Sequence, residues 1–281
     1  MFSLLRMDAY RLFKSTSFWV CMAVSVGIIL FGVCTIWLVS NIDLPASSSG
    51  GVIVSVGEFP DEEEMIDAEE AMSTLTNLDV LTYLGNMGVS RDLLGIIIAI
   101  FAALFIAGEF ETGFVKNVLT SAKNRRSYFV SKALVLLIAI VVFFLVSTVV
   151  AFIAGLVAGF SLTAVPIGEA FAWSGLVILN FWAFAMLVAL FSWLSKTKTA
   201  GLLVGMLVAA GIVGGIVGAF LSLFPDLTFL SEWMLFSNWV ALGTGIAPLA
   251  TADIVRVACV GLGYLIIYSV LGLIVLQKKD V

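Results

Sequence analysis

Two carboxylates, one central glycine and five basic side chains crowd into the polar stretch Glu109–Lys132, which reads GEFETGFVKNVLTSAKNRRSYFVSK from Gly108. Glu109 and Glu111, near the start of a short helix, favour its positive dipole end. Gly113 permits a tight change of direction after the apolar run before it. Lys123, Arg125 and Arg126 have the chemistry to bind lipid phosphates or acidic residues of a partner; the plainer reading of each is that it only sets membrane topology. A turn between two membrane helices needs far less charge than this, so the segment reads as a docking surface for something in the cytoplasm.

Catalytic constellations are missing. No Gly-x-x-x-x-Gly-Lys-Ser/Thr phosphate loop occurs, so this polypeptide is not expected to hydrolyse ATP itself. The chain has no histidine, which excludes His-Glu-x-x-His zinc sites and Ser/His/Asp sets. Ion-coupled carriers place ionisable residues at mid-membrane, where burial is costly and therefore functional. The apolar runs here carry essentially none, so any transport energy should come from another subunit. No metal or cofactor is expected on this chain, and Cys21, Cys34 and Cys259 read as small residues inside spans.

The elements that must position the polar stretch are membrane helices. Hydrophobic residues make up 62% of the chain and charged residues 12%, against roughly 25% charged in soluble domains. Phe18–Val39 is uncharged for 22 residues, about 33 Å of helix against a hydrocarbon core of about 30 Å. That length exceeds the roughly 7–15 residues of a signal-peptide core, so a retained helix is expected. The composition predicts an all-α integral membrane protein with six transmembrane helices over 18–40, 93–108, 133–160, 171–194, 199–224 and 254–276. Of 14 Lys and Arg residues, 12 lie on alternate connections: Arg6, Arg11 and Lys14, then residues 109–132, then Lys196 and Lys198, then Lys278 and Lys279. The positive-inside rule makes these connections, the 277–281 tail and both termini cytoplasmic.

Residues 41–90 hold ten Asp and Glu and no Lys or Arg, so the net charge of −5 describes an acidic outer loop, 41–92. Residues 1–17 place Phe2, Leu5, Leu12 and Phe13 among cations, which predicts an amphipathic interfacial helix. Arg6, Arg11, Arg125 and Arg126 are its and the polar stretch's candidate lipid or partner contacts. In the fifth span Gly201–Gly205 and Gly211–Gly215 fit Gly-x-x-x-Gly, a pattern for close helix packing. Residues 225–253 stay apolar outside the spans, and Pro225, Gly243, Gly245 and Pro248 break them, so short re-entrant outer helices are expected. Trp233, Phe236 and Trp239 suit the outer aromatic belt.

An acidic residue after the second span, then glycine, then Lys-Asn-x-Leu-Thr, then Arg, an aromatic residue and Ser-Lys opening the third span resembles the ABC exporter permease family. More narrowly it is similar to the six-span permeases of bacitracin- and lantibiotic-resistance transporters. The matching residues are Glu109 or Glu111, Gly113, Lys116, Asn117, Leu119, Thr120, Arg125, Tyr128, Ser131 and Lys132. Phe114 stands where the family commonly has Thr, and Ala122 where it often has Pro. The resemblance implies that residues 109–132 form a cytoplasmic coupling helix docking into a separate ABC ATPase subunit through Glu109, Glu111, Gly113, Lys116 and Asn117. It also implies ATP and Mg on that partner, a second permease copy or sister permease, surrounding membrane lipid, and a bacterial plasma membrane. Nucleic acid is not an expected partner. The implied substrate is amphipathic or lipophilic, such as an antimicrobial peptide or lipid-linked antibiotic. A reading of another class is a non-transporting immunity or sensor protein that binds a ligand at its acidic outer loop; a third is a secondary carrier.

Overall fold

A backbone crossing lipid has no water to satisfy its N–H and C=O groups, so a chain this apolar must cross as helices or as a closed barrel. The computed structural model describes residues 2–41, 80–89, 93–111, 122–160, 165–245 and 249–278, and all regular structure among them is helical. A short helix α1 (Phe2–Lys14) leads after one residue into α2 (Thr16–Asn41). The next described elements are α3 (Val80–Leu84) and a π-helical turn (Gly85–Val89), followed by α4 (Leu93–Glu111), α5 (Ala122–Val157) and α6 (Ile167–Ser195). Then come α7 (Lys198–Ala209), α8 (Ile212–Ser222), a 3-10 helix (Pro225–Trp233), α9 (Leu235–Gly243) and α10 (Thr251–Lys278). Helices α2, α4, α5, α6 and α10 are each long and apolar enough to span a membrane, and α7 with α8, apolar enough together but bent, make either a sixth, broken span or a re-entrant loop.

The chain is an all-α integral membrane protein, but its helices extend past their charge-free runs. Helix α5 begins at Ala122, ahead of the expected span 133–160, so Arg125, Arg126, Tyr128 and Lys132 are helical. Helix α4 runs on to Glu111. Most of the expected 109–132 segment is thereby the end of α4 and the start of α5; Gly113, Lys116 and Asn117 lie outside the described residues, as does most of the acidic outer loop.

Since lipid is as apolar as leucine, these helices are held by close packing and by hydrogen bonds between them. An alanine face on α4, with Ala99, Ala102 and Ala103 fully buried, lets neighbours approach. Rings of Phe18, Phe101 and Phe143 meet at 5.1–5.8 Å and join α2, α4 and α5. Ser25 and Ser147 share a buried 2.9 Å hydrogen bond between α2 and α5. Helix α10 lies along α6, where a Cβ on Gly261 would press on Asn180 at 3.1 Å and one on Gly272 would have no room against Trp193 at 2.7 Å.

The stretch expected as the fifth span, 199–224, holds two helices, α7 and α8. Gly211 adopts φ +69, a left-handed conformation that favours glycine, and α7 and α8 bend there by 54°. The outer helices are partly set into the bundle. Leu235, Asn238, Trp239 and Leu242 form one buried stripe on α9, and Trp239 sits between Phe181 and Phe184 at 5.1 and 5.0 Å. The belt position expected for Trp239 is therefore corrected: helical spacing turns it inward, while Trp233 is exposed. Tyr83 on α3 donates to the Ala151 carbonyl at 3.0 Å, and burial pushes its phenol up to about 12, so it remains a donor at neutral pH.

Candidate functional site

Asp8, Arg11, Glu109, Tyr128, Ser131 and Lys132 come together where α1 crosses the ends of α4 and α5. Lys132 is the centre. Its side chain is fully buried, and Nζ donates to Asp8 Oδ1 at 2.8 Å and to Glu109 Oε1 at 2.6 Å. The same Nζ lies 4.6 Å from the centroid of the Phe105 ring, whose face takes its remaining side. Arg11 Nη1 reaches Glu109 Oε1 at 2.9 Å from a side chain still 38% exposed. The Tyr128 hydroxyl donates to Glu109 Oε2 at 2.9 Å, and the Ser131 hydroxyl to Asp8 Oδ2 at 2.7 Å.

All four carboxylate oxygens thus accept a hydrogen bond, and among the described residues two cations face two anions. This matters because an unpaired ion removed from water costs several kcal/mol, and a buried pair is tolerated only when its other polar atoms are satisfied. The local sequence explains the placement. On α1, Leu5, Asp8 and Leu12 recur at three- and four-residue spacing, so Asp8 sits in the stripe that faces the bundle. On α5, Tyr128 and Lys132 are four apart and share a face toward α4.

The start of α5 is tied to other helices too. Arg125 Nη1 donates to the carbonyls of Leu276 and Gln277 at 3.3 and 2.8 Å, near the end of α10. The Trp182 indole on α6 donates to the Ala133 carbonyl at 3.0 Å. Both ends of the connection 112–121 are therefore anchored, one through Glu109 and the other through the first turns of α5.

The sequence-derived residues separate accordingly. Glu109 and Arg11 are brought together inside the cluster, Arg125 caps α10, and Arg6 and Arg126 are exposed. The side chain of Glu111 lies outside the described residues, as do Gly113, Lys116 and Asn117. Asp8 escaped the sequence reading; its signal is a lone carboxylate in line with Leu5 and Leu12. Among the four glycines, Gly201 and Gly205 pack within the chain, Gly205 having room for no Cβ against Ala99 and Val188 (2.7 and 3.0 Å). Gly211 is the break in the span, and Gly215 faces open space.

A lateral groove of about 520 Å³ between the far halves of α2 and α5 is lined by Leu30, Val33, Trp37, Val150 and Val157 among others, all apolar. Among the described residues, no set of three His, Cys, Asp or Glu side chains is placed to hold a metal ion.

No curated protein matches the chain. A family model for the ABC-2 family transporter protein matches residues 68–211, just over half of the 281-residue chain. That stretch includes α4, the connection after it, α5, α6 and α7. The permeases of this family are multi-pass plasma-membrane components of ABC transporters that partner an ABC ATPase subunit. With spans, family and the anchored connection in agreement, this chain belongs to the ABC-2 family of transporter proteins as a transmembrane permease.

Proposed function

We propose that this permease is part of an ATP-driven exporter in a bacterial plasma membrane, with the α1 end of the bundle and both termini in the cytoplasm. It works as a homodimer or with a sister permease, alongside two ATPase subunits that bind ATP and Mg. The observation that carries the reading is the buried ion-pair cluster that ties Glu109 at the end of α4 and Lys132 at the start of α5 to α1. A push on the intervening connection would be passed to three helices at once. Glu109 is engaged within the cluster, so contact with the ATPase falls to Glu111, Gly113, Lys116 and Asn117.

Such coupling needs a bundle with two arrangements whose balance nucleotide on the partner shifts. The substrate is amphipathic or lipophilic, such as an antimicrobial peptide or lipid-linked antibiotic. The apolar groove between α2 and α5 supports that class, and the similarity to resistance permeases supports the narrower one.

The test is co-purification with candidate ATPases, followed by ATP hydrolysis with Glu111→Ala and Gly113→Pro. A complex whose hydrolysis these substitutions uncouple supports transmission through the connection. Failure of the intact protein to bind any ATPase would discard the exporter and turn attention to ligand binding at the acidic outer loop.

A further inference from the structure

The exposed charges of α1 are all positive. Arg6 and Lys14 are exposed and Arg11 is partly so, while Asp8, the helix's acidic residue, is turned inward to Ser131 and Lys132. Other exposed charges described at this end of the bundle are also cations: Arg126 on α5, Lys196 after α6 and Lys278 on α10. Folding has removed both Asp8 and Glu109 from the surface by pairing them inside.

Aromatic rings accompany the cations. Tyr10 is 65% exposed, Phe13 46% and Trp19 59%. Arg6, Tyr10, Phe13 and Lys14 recur at helical spacing and form one stripe, opposite to Leu5, Asp8 and Leu12. The Trp19 indole donates to the Phe13 carbonyl at 2.8 Å, which fixes its ring at the corner where α1 meets the first span. Lys14 Nζ lies 5.6 Å from the centroid of the Tyr10 ring. Aromatic rings with one polar atom settle at the headgroup level of a bilayer, and ammonium and guanidinium groups beside them meet lipid phosphates.

We propose that this stripe of Arg6, Tyr10, Phe13 and Lys14, together with Trp19 at the start of α2, binds the headgroups of anionic phospholipid. An acidic protein surface would also attract the cations. It would not account for three large exposed rings beside them, Tyr10 and Phe13 on α1 and Trp19 in the first turn of α2. The site does not depend on how the ATPase docks, and its main readout, lipid retention, needs no ATPase.

The purified full-length protein is placed in nanodiscs of phosphatidylcholine with an equimolar share of phosphatidylglycerol, and retained lipid is counted by native mass spectrometry after mild release. Wild type should keep phosphatidylglycerol in preference to phosphatidylcholine. Arg6→Ala/Lys14→Ala should lose that preference, with affinity down roughly thirtyfold at low salt, from about 1 kcal/mol for each cation near an anionic surface. Arg126→Ala/Lys278→Ala, which removes two exposed cations of the same end but not of the stripe, should retain most of it. Equal loss in both double variants would reduce the stripe to general surface charge and overturn the site. Unchanged lipid retention in Arg6→Ala/Lys14→Ala would overturn it too, and if ATPase association fell instead the stripe would be a protein contact. Monodisperse elution of each variant establishes that a loss is not misfolding.

Discussion

Lys132 Nζ stands 2.6 Å from Glu109 Oε1, so the end of α4 and the start of α5 are joined by an ion pair across the ten residues 112–121 that separate Glu111 from Ala122 in the sequence. The pair does not stand alone, because Asp8 brings α1 to the same ammonium.

Replacing Lys132 by Met, similar in length but uncharged, should leave Asp8 and Glu109 buried with Arg11 as the one cation beside them among the described residues. Removing one partner of a buried pair costs about 3–5 kcal/mol, so the melting temperature in detergent should fall markedly. Asp8→Asn introduced into Lys132→Met should recover part of the loss, since it removes one of the stranded charges. An equal loss with and without Asp8→Asn would take Asp8 out of the cluster.

Arg11→Ala should behave differently at the same carboxylate. The guanidinium is 38% exposed, and pairs that water can reach are worth about 1 kcal/mol or less. Thermal melting should therefore place Arg11→Ala close to wild type and well above Lys132→Met. Reversal of that order would make Arg11, and not Lys132, the charge that balances the acids.

The five long helices were legible in the sequence because a charge-free run of bilayer length has few other uses. Their ends were less so. Reading stops at the first charge, but α5 continues back through Lys132, Arg126 and Arg125 to Ala122, since a charge that finds a partner does not end a helix. The cluster was half visible: Glu109, Tyr128, Ser131 and Lys132 stood out by resemblance, whereas their partner on α1 lies about a hundred residues earlier. No local pattern links Asp8 to Lys132, and only the fold brings them together. Glycine spacing could not distinguish packing at Gly205 from the turn at Gly211, because both needs are met by a missing Cβ.

Gly205→Ala and Gly215→Ala should separate two glycines that one motif treats alike. A Cβ on Gly205 would lie 2.7 Å from the Ala99 Cβ, between helices that cannot part without losing their contact, and overpacking of this kind costs about 1–3 kcal/mol. A Cβ on Gly215 meets nothing within 4 Å, and alanine is the better helix former by about 1 kcal/mol. Melting should show Gly205→Ala destabilised and Gly215→Ala neutral or more stable. A destabilised Gly215→Ala would mean that its face is covered in the assembled protein.

Gly211→Ala carries two separable penalties. Its Cβ would fall 2.6 Å from Phe236 Cζ, and its φ of +69 costs an L residue about 1–2 kcal/mol. In a Phe236→Ala background the ring is gone but the backbone penalty remains, so Gly211→Ala should still lower the melting temperature there. Gly211→Asn should be milder than Gly211→Ala in that background, because asparagine tolerates the left-handed region. If alanine proves harmless once Phe236 is removed, the ring alone holds the break and the fifth span straightens without it. The bend would then belong to the contact between α8 and α9, not to the backbone of Gly211.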